Sequence, residues 1–97
     1  MLSNVRENNS LHRFEMDVEG RVAFITYRRD AGVVSLDHTE VPPALSGRGA
    51  GSALVRGALE LASARGYKVI PHCSFILSFM RRHPEFHELL ADTSYVQ

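Results

Sequence analysis

The stretch Val41-Pro42-Pro43-Ala44-Leu45-Ser46-Gly47-Arg48-Gly49-Ala50-Gly51-Ser52 decides how this chain is read. Two successive prolines end a strand, because neither can donate to a sheet ladder. Three glycines at alternate positions follow, and then a run with helical spacing: Ala53, Leu54, Ala58, Leu61 and Ala62. That run closes on Arg65-Gly66, a cation and a C-cap glycine. A glycine loop between a strand and a helix start lets the backbone approach a ligand closely. The first N–H groups of the helix are unpaired and carry partial positive charge. The combination suits a phosphate, and the guanidinium of Arg48 and hydroxyl of Ser52 add suitable donors.

Upstream of the loop the hydrophobic period is two. Phe14, Met16 and Val18 alternate with Arg13, Glu15 and Asp17, which predicts a half-buried strand. Glu19-Gly20 turns the chain into Arg21–Arg28, rich in β-branched and aromatic residues, and Asp30-Ala31-Gly32 turns it again. A third strand is expected from Val33 to Val41. Strict alternation puts Val34, Leu36, His38 and Glu40 on one face, and Val33, Ser35, Asp37, Thr39 and Val41 on the other. Downstream, Lys68-Val69-Ile70-Pro71 is a short strand, and a second helix runs from about Ser74 to Arg82 before Pro84. The order is β-β-β-α-β-α, an α+β sheet whose central helix makes a crossover between parallel strands. Residues 1–10 are polar and expected to be a flexible lead-in, with residues 11–97 forming a single minimal domain.

Composition narrows the function. The 97 residues allow one domain with a thin core. Eleven basic residues balance eleven acidic ones, which argues against nucleic-acid binding through a general basic field. No apolar run reaches the ~18 residues of a membrane span. The N-terminal residues lack the basic-then-apolar order of a secretory signal. A lone cysteine, Cys73, fits a reducing cytoplasm, the expected location. The histidines His72, His83 and His87 are spaced across Pro84 with no cysteine pattern, so no metal site is expected.

Two nucleotide-binding patterns fail on spacing. A Walker A loop needs a lysine that is absent. A dinucleotide fingerprint would need glycine where Ser52 or Leu54 stands. The segment Ser46-Gly47-Arg48-Gly49-Ala50-Gly51 instead resembles the pyrophosphate loop of the GCN5-related N-acetyltransferase superfamily, written Arg/Gln-x-x-Gly-x-Gly/Ala. It departs at Ser46, where the family carries a long polar side chain. With His38-Thr39-Glu40-Val41 before the loop and Pro71-His72-Cys73 after it, the chain is similar to a subgroup of short members. The resemblance implies a mixed sheet lacking the helices that usually follow the first strand and wall the acceptor site. It also implies acetyl-CoA as cosubstrate, with main-chain groups near Val41 pairing to the pantetheine arm. The pyrophosphate would then rest on the amides of Ser46, Gly47, Arg48, Gly49, Ala50, Gly51 and Ser52.

Acetyl transfer to a primary amine requires a free amine, a polarised carbonyl and a proton for the leaving thiolate. Glu40, at the end of its strand, is a candidate general base, and His38 lies two residues earlier on the same expected face. Cys73 stands between a strand and a helix start, where the helix field favours thiolate. It could protonate the leaving CoA or accept the acetyl group itself. Many superfamily members carry Phe-Tyr on the last helix, with tyrosine as the acid. The corresponding pair here is Phe79-Met80, and methionine has no proton to give. The expected function is an acetyl-CoA-dependent N-acetyltransferase acting on a primary amine. The open groove suits a protein-borne amine, or needs a partner chain, better than it suits a small metabolite. The competing reading is a CoA-binding module without catalysis.

Overall fold

The computed structural model describes residues 4–45 and 47–96. Ser46, expected at the loop, lies outside them. Five strands form one sheet in the order β1 (Val5–Asn8), β2 (Arg13–Val18), β3 (Arg21–Asp30), β4 (Val33–Glu40) and β5 (Lys68–Pro71). The first four are antiparallel and β5 joins β4 in parallel. Helix α1 (Ala50–Ala64) makes the crossover between β4 and β5, and α2 (Ser74–Arg82) follows β5. The α+β class and mixed sheet are those expected, with one strand more.

That additional strand, β1, comes from the expected lead-in. Its composition conceals it, because Glu7 faces the helices where an apolar residue is usual. The Glu7 carboxylate is buried and takes ion pairs from Arg29 at 2.9 Å and Arg65 at 2.6 Å. It also accepts the hydroxyl of Tyr27. Long-range partners turn a polar tetrapeptide into a strand, and no local pattern announces them.

Two tight turns shape the meander. Glu19-Gly20 and Ala31-Gly32 each hold the consecutive positive φ angles that a two-residue type I′ hairpin requires. Phe14 and Met16, Ala23, Ile25 and Tyr27, Val34 and Leu36, and Val69 line one face of the sheet. Against them pack Leu54, Val55, Ala58 and Leu59 of α1 and Ile76, Phe79 and Met80 of α2. Among the described residues no helix covers the opposite face, and no helix is long and apolar enough to cross a membrane. Helix α1 ends with Tyr67 N–H on Ala62 O at 2.9 Å and Gly66 N–H on Ser63 O at 3.1 Å, the expected glycine stop.

Strand β4 departs from strict alternation. Thr26 pairs with His38 but Tyr27 pairs with Leu36, so Asp37 is an extra residue, a β-bulge. Beyond it the faces exchange. Thr39 opposes the buried Ile25, and Glu40 opposes Phe24 on the uncovered side. His38 and Glu40 therefore do not share a face with Val34 and Leu36, as alternation alone predicted.

Candidate active site

The parallel pairing of β4 and β5 ends at Leu36 and Pro71. One further bond, Cys73 N–H to Leu36 O at 3.1 Å, closes the junction. Past this point β5 leaves the sheet while β4 runs on, so the β4 edge away from β3 is open from the bulge to Val41. Into the opening the sequence places two helix starts.

The first is α1. Gly49 is its N-cap with φ 76°, a left-handed conformation in which a glycine has no Cβ penalty, and among the described residues no side chain caps the helix. Ala53 N–H bonds back to Gly49 O at 3.1 Å. The N–H groups of Ala50, Gly51 and Ser52 precede that first helical bond and have no carbonyl of the helix to meet. Gly51 matters for a different reason. A Cβ there would lie 3.0 Å from Phe75 Cζ and 3.7 Å from Val41 Cγ2, so any side chain would push the Phe75 ring outward.

The second is α2, whose N-cap is Cys73. Its Sγ lies 3.4 Å from Thr39 Oγ1, a contact made possible by the bulge that turns Thr39 to this side. Burial pushes the thiol pKa up, but the Thr39 hydroxyl and the N–H groups of Ile76, Phe75 and Thr39 outweigh it. The net position is below the ordinary thiol value.

Between these features lies a cavity of about 430 Å³, lined by Thr39, Val41, Leu45, Gly47, Gly49, Ala50, Gly51, Ser52, Cys73 and Phe75. It lies in the size range of small-ligand sites. It gathers Val41, Gly47, Gly49, Ala50, Gly51, Ser52 and Cys73 from the sequence expectation. Phe75, 41% exposed at its mouth, and Thr39 carried no signal as site residues in the sequence. Phe75 reads in the sequence as one more apolar position of a helix, and parity alone puts Thr39 on the face opposite His38.

Three expected residues do not line it. Arg48 turns outward to Glu19, with its two terminal nitrogens at 3.1 and 2.6 Å from the carboxylate oxygens. His38 Nε2 and Glu40 Oε1 are 2.9 Å apart on the uncovered face, both well exposed. At the C-terminal end of α2 the basic run Arg81-Arg82-His83 is engaged elsewhere, with Arg81 on Tyr95 O, Arg82 on Ser78 Oγ, and His83 stacked on Phe79. Met80 is fully buried and belongs to the core.

The site fits acetyl-CoA on its own chemistry. Uncapped N–H groups at a helix start suit a pyrophosphate, a free strand edge suits the two amides of a pantetheine arm, and a thiol lies at the far end. Known proteins agree. Residues 13–89 match the family described as GCN5-related N-acetyl-transferase. Among solved structures, the chain is similar to a GCN5-like candidate N-acetyltransferase from Staphylococcus aureus determined in solution by NMR. The TM-score is 0.67 and the identity 29%, over 92% of this chain and 90% of that one. The chain thus belongs to the GCN5-related N-acetyltransferase family, whose reaction is acyl transfer from acetyl-CoA.

Proposed function

We propose that the protein transfers the acetyl group of acetyl-CoA to a primary amine that reaches it from the uncovered face of the sheet. The observation that carries this reading is the common cavity of the α1 start, the free β4 edge and Cys73. The amides of Gly47 to Ser52 would hold the pyrophosphate and the edge near Val41 the arm, while the Arg48 side chain is already paired with Glu19. The amine nitrogen attacks the thioester carbon, the carbon–sulfur bond breaks, and the CoA sulfur needs a proton. Cys73 is the group suited to serve that sulfur, since Met80 has no proton to give. His38 and Glu40 belong to the acceptor side of the strand. With no helix of the described residues over that face, the acceptor groove is open, which suits a lysine side chain or an N-terminus carried on a protein.

One observation favours the alternative of a CoA-binding module: an apolar, buried Met80 removes the usual acid. The two readings separate in one experiment. Acetyl-CoA is titrated calorimetrically, and free thiol is followed with a lysine peptide and hexylamine as acceptors. Binding with turnover supports the enzyme, and binding without turnover on either amine supports the module. Gly49→Asp is expected to weaken acetyl-CoA at least about tenfold through its charge at the helix start. Gly49→Asn tolerates the same positive φ and is expected to weaken it far less. Equal affinity in wild type and Gly49→Asp would remove the phosphate cradle.

A further inference from the structure

On the uncovered face, at the junction where β4 and β5 part, four polar side chains converge. Arg28 of β3 grips Asp37 through Nε at 2.7 Å and Nη2 at 3.1 Å. Ser35 Oγ lies 2.7 Å from Asp37 Oδ1, and His72 Nδ1 lies 2.9 Å from Ser35 Oγ and 3.2 Å from Asp37 Oδ1. Arg28 Nη2 is also 3.3 Å from His72 Nδ1. His72 directly precedes Cys73, and Asp37 directly follows Leu36, the carbonyl to which Cys73 N–H is bonded. The cluster and the thiol thus flank one rung of the sheet, Cys73 toward the helices and His72 toward solvent.

The hydrogen count fixes the tautomer. The Arg28 guanidinium, outweighing burial, holds the Asp37 carboxyl down at about 2, so it is an acceptor only. The single Ser35 proton goes to Asp37, leaving the Ser35 lone pairs to accept. Arg28 has Asp37 and Ser35 as better acceptors than an imidazole nitrogen. His72 Nδ1 therefore carries the proton, and Nε2, with no partner among the described residues, keeps its lone pair. Half of the ring is exposed, in a trough floored by Val33 and Ile70 with Asp30 at its rim. The His38–Glu40 pair differs, since there Nε2 is itself occupied by the carboxylate.

We infer that His72 is the general base that takes the proton from the acceptor amine, with Asp37 as its positioning residue and the trough beside it as the acceptor site. This rests on the acetyl-transfer reading above. The ammonium of the acceptor gives one proton to His72 Nε2, and the neutral nitrogen attacks the thioester carbon. The carbon–sulfur bond breaks as that nitrogen loses its second proton, which balances the one the CoA sulfur gains. The imidazolium, stabilised through Nδ1 by Asp37, then returns its proton to water. Arg28, the one cation in the cluster, is already neutralised by Asp37, while Asp30 adds negative charge that attracts an ammonium.

The test uses the whole chain with acetyl-CoA and hexylamine or a lysine peptide. His72→Gln is expected to lower kcat/KM about 100-fold near pH 7 with acetyl-CoA affinity unchanged. The deficit should shrink as pH rises and the amine deprotonates unaided. Imidazole in solution should partly rescue His72→Ala. Asp37→Asn is expected to lose about tenfold in kcat/KM with acetyl-CoA affinity unchanged, and its His72 ring should gain Nε2–H tautomer by nitrogen NMR, because Nδ1–H loses its anionic acceptor. Nitrogen NMR of the wild-type ring, which needs no variant, should find the neutral Nδ1–H tautomer. An Nε2–H tautomer overturns the inference, as does an active wild type with His72→Gln unimpaired or impaired equally at every pH. A wild type that acetylates neither amine overturns the acetyl-transfer reading, and the base with it.

Discussion

At the scale of single residues, Cys73 joins reactivity to position. It caps α2, donates its N–H to Leu36 O, and receives donors at its sulfur from Thr39 and the first turn of the helix. Such an environment is stabilising for a thiolate and of little use to a thiol that only fills space. Alkylation by iodoacetamide should therefore rise with pH around a midpoint below that of an ordinary cysteine. Thr39→Val, which removes the side-chain donor but keeps the volume, should move the midpoint up. In the transfer reaction, Cys73→Ala is expected to slow release of CoA at least about tenfold, and Cys73→Ser less, since a hydroxyl still gives a proton. Intact-mass measurement after acetyl-CoA alone distinguishes the roles. A chain heavier by one acetyl group, absent in Cys73→Ala, marks a carrier; an unmodified chain with slowed turnover marks an acid. Unchanged rates in both variants would return Cys73 to packing.

At the scale of elements, the bulge at Asp37 organises the site. It turns Thr39 and Val41 toward the helices, puts His38 and Glu40 outside, and supplies the carboxylate that positions His72. Deleting Asp37 leaves Leu36-His38-Thr39-Glu40 in regular alternation with the same faces, so the register against β3 survives. The deletion variant should fold, with circular dichroism like the wild type. It should bind acetyl-CoA at least about tenfold more weakly, because bulges bend strands and this one lies where β4 leaves β5. Wild-type affinity in a folded deletion variant would show that the opening does not depend on the bulge. The same residue marks how far sequence reading reaches. Ends of elements were legible because their signals are local: Pro42-Pro43 after β4, Gly66 after α1, Pro84 after α2. The glycine loop was legible because few uses demand three alternate glycines before a helix. The bulge was not, since Asp37 differs in nothing from a regular strand residue until its neighbour Tyr27 is seen to pair with Leu36. Likewise β1 depends on Arg29 and Arg65, both remote in sequence, to neutralise Glu7.

At the scale of the whole molecule, the question is how a sheet with helices on one face keeps the other in water. The uncovered face is closed by a lattice of side chains rather than by a layer. Glu15, 3% exposed, takes the guanidinium of Arg6 at 2.8 Å, that of Arg13, and Asn8 Nδ2 at 3.0 Å, while Arg13 lies over the Phe24 ring at 4.3 Å. Burial pushes the Glu15 pKa up, but Arg13, Asn8 and Arg6 outweigh it, and the folded value lies below the ordinary one. A carboxylate so held contributes stability above the pH where the unfolded group ionises, and that contribution is lost as pH falls through the lowered folded value. Its partners bound the cost of removal. Arg6 and Arg13 retain access to water at 48% and 25% exposure, so truncation does not strand a buried cation. Glu15→Ala should therefore cost about 1–2 kcal/mol, less than breaking a fully buried pair. Glu15→Gln should cost less, and its deficit relative to wild type should disappear in acid, where both side chains are neutral. Urea denaturation at neutral and acid pH measures both. A deficit for Glu15→Gln that persists unchanged in acid would mean that the carboxylate's shape, and not its charge, holds the lattice together.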